Sequence, residues 1–226
     1  MEIAEFWTIC AANSIVLEPE QLQALERYVR ELRYWNERVN LISRKDIEHL
    51  YERHILHSLA ALKYVEFPPR ARCVDIGTGA GLPGIPIAIA RPDLHMLLVE
   101  SVAKKARLVA MFAAHTGLRH LQVKRARIEE LSSSPQYRSA FDIALARAVA
   151  PLPTLLQWAE PLLKPTGKLV AYKGGDLQAE LQEAHARFPT LRSTVHDIRL
   201  YGAPWFEENQ KRLVVCEFVP QPATSA

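Results

Sequence analysis

The chain has 226 residues, which is enough for one large domain or for a domain with an appendage. Its 28 Lys and Arg against 25 Asp and Glu give a net charge of +3, too small to indicate a nucleic-acid-binding protein by itself. The three cysteines, Cys10, Cys73 and Cys216, form no C-x-x-C pair, which argues against a disulfide framework and a zinc site. No apolar run reaches the length of a membrane span, so we expect a cytoplasmic protein without membrane contact.

The first part of the chain is predicted to be helical. Apolar residues recur at spacings of three and four over residues 19–40, and a second helical run covers residues 47–64, before Pro68 and Pro69. A boundary near residue 66 follows. We therefore predict an N-terminal helical extension over residues 1–65, a main domain over residues 66–220 and a disordered tail over residues 221–226.

The main domain is predicted to be an α/β domain, because short β-branched or apolar segments alternate with helical ones. The expected strands are RCVDI, HMLLVE, LQVKRA, FDIALA, GKLVAYK, STVHDIRLY and RLVVCEFVP, and the expected helices cover residues 84–90, 102–116, 153–163 and 176–186. Helical crossovers make the first five strands parallel, whereas only ten residues separate the last two, which should form an antiparallel pair at a sheet edge. This pattern resembles the Rossmann-like, seven-stranded methyltransferase architecture.

A glycine-rich segment follows the first predicted strand. Residues 73–84 read CVDIGTGAGLPG, in which Gly79, Gly81 and Gly84 match the dinucleotide fingerprint G-x-G-x-x-G. The glycines indicate a strand that ends in a tight turn, where the backbone approaches a ligand closely and a helix begins. They do not by themselves distinguish a dinucleotide from another nucleoside.

Two acids near this segment favour S-adenosylmethionine over a dinucleotide. Asp75 precedes the turn, where a carboxylate would repel a pyrophosphate but attract the ammonium and sulfonium groups of S-adenosylmethionine. Glu100 ends the second strand, about 20 residues after the loop, at the place of an acceptor for ribose hydroxyls. Because both ligands contain a ribose, Glu100 indicates an adenosine-like ligand and does not choose between them.

The end of the fourth strand, FDIALARAVAPL, bears on the methylated atom. It lacks the Asp/Asn-Pro-Pro-aromatic run of enzymes that act on exocyclic base amines. No cysteine lies at the C-terminal end of the fourth or fifth strand to serve as a cytosine-C5 nucleophile. Arg147 occupies this place, and since it stays protonated it can orient or clamp an anion but cannot be a general base. A nucleophile that needs no deprotonation, such as guanine N7, fits, although sugar hydroxyls and small molecules remain open.

Several stretches together resemble one family, the bacterial 16S ribosomal RNA guanine-N7 methyltransferases of the RsmG (formerly GidB) type. The matching pieces are YWNERVNLIS from Tyr34, RHILHSL from Arg53, VDIGTGAGLPGIPIAI from Val74, ESVAKKARLV from Glu100, ARIEEL from Ala126, ARAVAPL from Ala146 and YKGG from Tyr172. One departure is visible: the family usually reads His-x-x-Asp-Ser-Leu, and His57 stands here at the place of that acid.

The resemblance implies an enzyme that uses S-adenosylmethionine to methylate N7 of a guanine in the 530 loop of 16S rRNA, within a small-subunit particle and without an obligate protein partner. It places cofactor contacts on Gly77, Leu82, Ile128, Glu129 and Arg147, and Arg147 is also our candidate catalytic residue. The arguments from the residues themselves add Asp75, Gly79, Gly81 and Glu100. Two alternatives stay open: methylation of another RNA site or a small molecule, and a non-catalytic nucleotide- or RNA-binding protein.

A partly basic stretch in the second helical run is our candidate RNA surface. The predicted RNA contacts are Arg44, Lys45, Arg53 and His54, together with Lys173 just past the fifth strand. Histidines at 49, 54 and 57 lie nearby, but no acid joins them at ligand spacing. We therefore predict no metal site.

Overall fold

The computed structural model describes residues 1–43 and 45–219, and these residues contain one seven-stranded mixed sheet. Its strands are β1 (Arg72–Ile76), β2 (His95–Glu100), β3 (Leu121–Arg125), β4 (Phe141–Arg147), β5 (Leu163–Gly174), β6 (Leu191–Asp197) and β7 (Lys211–Phe218). The strand order is β3-β2-β1-β4-β5-β7-β6. The first five strands are parallel, and β7 pairs antiparallel with both β5 and β6. The predicted fold class is confirmed.

Helices precede the sheet and connect its strands. They are α1 (Ile3–Ala12), α2 (Pro19–Asn36), α3 (His57–Leu59), α4 (Ala61–Tyr64), α5 (Gly84–Ala90), α6 (Ala103–Thr116), α7 (Ile128–Ser132), α8 (Leu152–Ala159), α9 (Gln178–Arg187) and α10 (Trp205–Glu208). Sequence patterns did not predict α1, α7 and α10, of which the last two are only one turn long. In the described part of the chain, no helix has the length and apolarity that crossing a membrane requires.

Helix α2 ends four residues before the predicted position, for a reason that lies in its last residue. The side-chain oxygen of Asn36 accepts hydrogen bonds from the backbone N–H groups of Leu41 and Ile42, at 2.9 and 2.8 Å. These bonds fold the following residues back against the helix end, as Asn side chains commonly do in turns. The chain is thereby directed toward the edge of the sheet.

The second helical run is not the continuous α-helix that was predicted. A 3₁₀ turn at Ile47–His49 leads into a π-helix at Leu50–Leu56, which is followed by α3 and α4. π-helical turns are rare and occur frequently at functional sites. This one carries Arg53 and His54, whose side chains both reach the main cavity of the protein.

Two hydrophobic clusters cover the two faces of the sheet. One contains residues of α1, α2, α5 and α6, and the other contains residues of α7, α8 and α9. Neighbouring residues of a strand alternate between them: Cys73 and Leu145 face the first cluster, whereas Val74 and Ala146 face the second. The segment predicted as an N-terminal extension therefore shares a core with the sheet. The predicted tail lies outside the described residues.

Candidate active site

The main cavity, of about 1140 Å³, opens beside the carboxyl ends of the parallel strands. This edge is where open α/β sheets bind ligands, because the loops that leave the strands diverge there. Its lining includes Ser43, Asp46, Arg53, His54, His57, Gly77, Thr78, Gly79, Leu82, Glu100, Lys105, Arg147, Val149, Tyr172, Lys173, Trp205, Asn209 and Lys211. The cavity thus joins the N-terminal segment to the sheet edge.

The glycine loop, residues 77–82 after β1, forms one wall of the cavity. Gly77 and Gly79 have φ angles of +65° and +59°, a backbone region that side chains other than glycine rarely adopt. A Cβ on Gly77 would lie 2.9 Å from Cγ1 of Val149, whereas a Cβ on Gly79 would meet only the carbonyl oxygen of Gly77, at 3.9 Å. Packing against Val149 therefore requires a glycine at position 77, whereas the backbone at Gly79 is open to a ligand.

Asp75 lies beneath this loop, outside the cavity lining. Its Oδ2 accepts hydrogen bonds from Oγ1 of Thr78 at 2.6 Å and from the N–H of Gly84 at 2.9 Å, which close the turn. Complete burial raises the pKa of Asp75 to about 7. The visible task of Asp75 is to hold the loop, and its contact with a cofactor stays a prediction.

Glu100 connects β2 to the glycine loop and lines the cavity. Its Oε2 accepts a hydrogen bond from the N–H of Gly79 at 3.0 Å, and its Oε1 accepts one from the N–H of Val102 at 2.8 Å. Each carboxylate oxygen has a second lone pair, which a hydroxyl group of a ligand can use. The position at the end of β2 is therefore fit to bind a ribose.

Arg147, at the end of β4, is half-buried in the cavity wall. One guanidinium nitrogen lies 3.0 Å from Nδ1 of His54, and another donates to the carbonyl oxygen of Arg53 at 3.4 Å. Among the described residues, no carboxylate lies within ion-pair distance of this guanidinium. Such a cation can receive the carboxylate or phosphate of a ligand. We call Arg53, His54 and Arg147 the arginine cluster.

Two histidines beside Arg147 are uncharged. Burial, reinforced by the positive charge of Arg147, lowers the pKa of His54 to about 3 and lowers that of His57 well below its usual range. The buried Nε2 atoms of both rings have no hydrogen-bond partner among the described residues. His57 packs edge-on against Tyr172, with 5.3 Å between ring centroids. The neutral ring of His57 thus adds no charge to this wall, at the position where the sequence resemblance leads us to expect an acid.

The mouth of the cavity combines charges with an aromatic ring. Arg53 donates to Oδ1 of Asp46 at 3.1 Å, and its guanidinium carbon lies 5.4 Å from the ring centroid of Trp205. Lys211 places its ammonium 5.1 Å from the same centroid. Cations and aromatic surfaces at a cavity mouth are typical of sites that receive nucleotides.

Comparison with known proteins supplies the family. The model of the family described as GidB, rRNA small subunit methyltransferase G, matches residues 21–212. The chain belongs to this family. It is 37% identical over 220 residues to the ribosomal RNA small subunit methyltransferase G of Roseiflexus castenholzii, over 97% of this chain and 93% of that protein. The protein of the same name from Chlorobium luteolum is 40% identical over 207 residues, 90% of this chain and 85% of that protein.

Solved structures agree on the fold. A putative O-methyltransferase from Klebsiella pneumoniae superimposes with a TM-score of 0.59 at 17% identity, over 90% of this chain and 91% of that chain. Membership in the small-subunit rRNA methyltransferase G family makes this chain an S-adenosylmethionine-dependent methyltransferase, and the solved structure agrees with it in fold.

Three features of the cavity fit S-adenosylmethionine. Gly77 and Gly79 allow close approach of the ligand to the backbone, Glu100 can accept hydrogen bonds from ribose hydroxyls, and Arg147 can pair with the carboxylate of the methionine part. When bound, S-adenosylmethionine supplies a methyl group on a positively charged sulfur. The protein groups bind it, align it and exclude water.

The remaining residues predicted to bind the cofactor are divided. Leu82 lines the cavity, whereas Gly81, Ile128 and Glu129 do not. A Cβ on Gly81, where φ is +96°, would collide with the side chain of Ile85, so this glycine is required by packing within the loop. Ile128 is buried and Glu129 is exposed at the start of α7. Their contact with the cofactor stays a prediction.

The predicted RNA contacts are also divided. Arg53, His54 and Lys173 line the cavity. Lys45 does not line it, but is exposed and directly precedes Asp46, which does. Lys173 donates to Oε1 of Glu180 at 2.5 Å and to the carbonyl oxygen of Ala150 at 3.0 Å, so its charge is already neutralised. Arg44 lies outside the described residues.

Sequence reasoning did not single out several residues that line the cavity. Ser43, Asp46, Lys105, Trp205, Asn209 and Lys211 are among them. Trp205 and Asn209 lie between β6 and β7, in ten residues that read only as a short connection. The Trp in that connection was the one available signal, since a loop seldom exposes a large aromatic ring without a use for it.

Proposed function

We propose that the protein transfers the methyl group of S-adenosylmethionine to N7 of a guanine in the 530 loop of 16S rRNA. We further propose that it does so in the cytoplasm, on a small-subunit particle. The membership of the chain in the small-subunit rRNA methyltransferase G family supports an rRNA substrate. The choice of atom depends on the chemistry of the cavity.

The observation that carries the choice of N7 is that the two histidines of the cavity are poor bases and that Asp75 lies outside its lining. The pKa of His54 falls to about 3 and that of His57 is also depressed, so both rings are neutral and neither takes up a further proton near neutral pH. Asp75 has a pKa of about 7, but it lies beneath the loop and its Oδ2 is bound to Thr78 and Gly84. Methylation of an amine or a hydroxyl group needs proton removal, whereas N7 of guanine offers a lone pair.

The cysteines support the same conclusion. Cys10, Cys73 and Cys216 are buried, and none of them lines the cavity. Burial raises the pKa of each thiol to about 12, which suppresses the thiolate that attack on a cytosine ring requires. Alignment of donor and acceptor is then the main contribution of the protein to catalysis.

Arg147 is the proposed catalytic residue because it can hold an anion at this point of the cavity. A donor on N7 itself would occupy the lone pair that must attack, so we assign Arg147 to the cofactor carboxylate, a phosphate or O6 of the base. Its lowered pKa, caused first by burial, leaves the guanidinium protonated at neutral pH.

The test uses the charge that N7 methylation places on guanine, which makes the ring open to borohydride reduction and the strand open to aniline cleavage. Small-subunit RNA from cells that lack the gene is compared with RNA from cells that carry it. We expect one new cleavage site in the 530 loop, and we expect Arg147→Ala to abolish it.

The matched control is Arg187→Ala, which removes an exposed arginine of α9 that pairs with Glu183 and does not line the cavity. This variant should restore the cleavage fully. A methyl group found on the RNA by mass spectrometry without that cleavage would contradict N7 as the acceptor.

A further inference from the structure

Guanine presents two different edges to a protein. N1–H and the N2 amino group are donors on the Watson–Crick edge, whereas N7 and O6 are acceptors on the other side of the base. An enzyme that acts on an extruded base reads the Watson–Crick edge by hydrogen bonds. If N7 must face the methyl donor, a reader of guanine has to supply acceptors to N1–H and N2, and an ionised carboxylate matches two adjacent donors.

Among the described residues, Asp46 and Glu100 are the acids that line the cavity. Glu100 belongs to the cofactor wall, where its oxygens bind the N–H groups of Gly79 and Val102. Asp46 comes from the N-terminal segment, ahead of the π-helix that carries Arg53 and His54. It is therefore the carboxylate available on the side of the cavity that the cofactor wall does not form.

The surroundings of Asp46 hold its carboxylate in one orientation. Oδ2 accepts a hydrogen bond from Oγ of Ser43 at 2.8 Å, and Oδ1 accepts one from Arg53 at 3.1 Å. The side chain keeps 35% of its surface exposed, and each oxygen has a second lone pair that a ligand can use. Partial burial opposes ionisation, but the hydrogen bonds from Ser43 and Arg53 hold the pKa of Asp46 below its usual range. The group is an ionised acceptor at neutral pH.

Arg53 links this carboxylate to the reacting end of the cavity. Its guanidinium binds Asp46 and its carbonyl oxygen accepts from Arg147, so one residue spaces the two side chains. Its guanidinium also lies over the ring of Trp205. An oriented carboxylate, a guanidinium and an aromatic ring therefore lie together in the part of the cavity where a flat base could bind.

We propose that Asp46 determines specificity for guanine by accepting hydrogen bonds from N1–H and the N2 amino group of the target base. This inference rests on the proposed function, since it requires a guanine with N7 turned toward the cofactor. It assigns the residue to base recognition and not to methyl transfer.

Inosine tests the assignment because it keeps N1–H and N7 but lacks the N2 amino group. 16S rRNA is prepared by ligation with guanosine or inosine at the target position, and is offered free and in reconstituted particles. Transfer of labelled methyl groups and RNA affinity in the presence of S-adenosylhomocysteine are measured for wild type and Asp46→Asn. Wild type should prefer guanosine by about tenfold, and in the variant the preference should fall toward one.

The ratio separates recognition from a structural role. Loss of the contacts to Arg53 and Ser43 alone would slow methyl transfer to the guanosine RNA and the inosine RNA equally, and would leave the ratio of the two rates unchanged. Glu48→Gln alters an exposed acid of the same segment, outside the main cavity, and should keep the wild-type ratio. If Asp46→Asn transfers no methyl group, the ratio of its affinities for the guanosine RNA and the inosine RNA is compared instead.

An unchanged ratio in Asp46→Asn, or equal use of the two RNAs by wild type, would overturn the assignment. Borohydride and aniline cleavage of the wild-type product maps the methylated atom independently. Methylation away from N7 would therefore refute the proposed function, whereas N7 methylation with an unchanged ratio would refute only the role of Asp46.

Discussion

The glycine loop and the arginine cluster line the same cavity, but their polar atoms are satisfied in different ways. In the glycine loop, the N–H of Gly79 binds Glu100, and the turn is closed by Asp75 through Thr78 and Gly84. In the arginine cluster, Arg147 has only a ring nitrogen and a carbonyl oxygen as partners, and Nε2 of His54 has none among the described residues.

This difference indicates a division of labour. A loop whose shape is already fixed by its own hydrogen bonds is preorganised, so it can bind a cofactor of fixed shape at small entropic cost. A wall with an unneutralised guanidinium is suited to a group that brings its own negative charge, such as an RNA phosphate or the carboxylate of the cofactor. The comparison predicts different effects for substitutions on the two sides.

The largest effect is expected from Gly79→Val. A side chain at this position would enter the space that the loop backbone leaves for a ligand, so binding of S-adenosylmethionine should fall below detection in calorimetry. The strain of a positive φ should cost about 1–2 kcal/mol in the free energy of unfolding.

The matched control is Gly117→Val, since Gly117 ends α6 with φ of +72° and has no atom within 4 Å of an added Cβ. It should carry similar strain and keep the wild-type affinity for the cofactor. Equal loss of affinity in both variants would mean that strain, and not the cavity wall, governs binding.

A smaller effect, on stability, is expected from Asp75→Asn. Because the folded-state pKa of Asp75 is raised to about 7, this group takes up a proton on folding, and its contribution to stability is lost as pH rises from about 4 to 7. The amide oxygen can still accept from Thr78 and Gly84. Between pH 5 and 8, wild type should lose about 3 kcal/mol relative to the variant in urea unfolding.

Asp142→Asn is the control for this prediction. Partial burial opposes the ionisation of Asp142, but the hydrogen bond from Lys164 holds its pKa below the usual range. The contribution of Asp142 to the free energy of unfolding is therefore lost only at more acidic pH. The difference between pH 5 and 8 should then equal that of wild type. Parallel pH profiles for wild type and Asp75→Asn would show that Asp75 stays ionised in the fold.

The smallest effect is expected from Lys45→Ala, which removes an exposed lysine of the N-terminal segment. Loss of one phosphate contact should reduce the slope of log affinity against log salt by about one unit or less, with cofactor affinity unchanged. Lys173→Ala should change the slope less, because Glu180 already neutralises Lys173. A larger change in the second variant would place the RNA on the side of β5.

The sequence by itself determined those parts of the protein whose cause is local. The spacing of apolar residues and the lengths of the connections predicted the seven strands, the parallel arrangement of the first five and the antiparallel pair of the last two, because sheet topology follows from crossover length. The glycine loop and Glu100 were likewise predicted, since a strand, a turn and a helix follow one another directly in the chain.

Only the tertiary structure decided the second wall of the cavity. Asp46, Arg53, Arg147 and Trp205 are separated by up to 159 positions in the chain, and no local pattern indicates that they meet. The predicted continuous helix was wrong at the π-helix, because its winding depends on tertiary contacts such as the bond from Arg147 to the carbonyl oxygen of Arg53. For Asp75, the motif predicts a ligand contact, which stays a prediction, and only the tertiary structure shows that its carboxylate binds Thr78 and Gly84 of the loop.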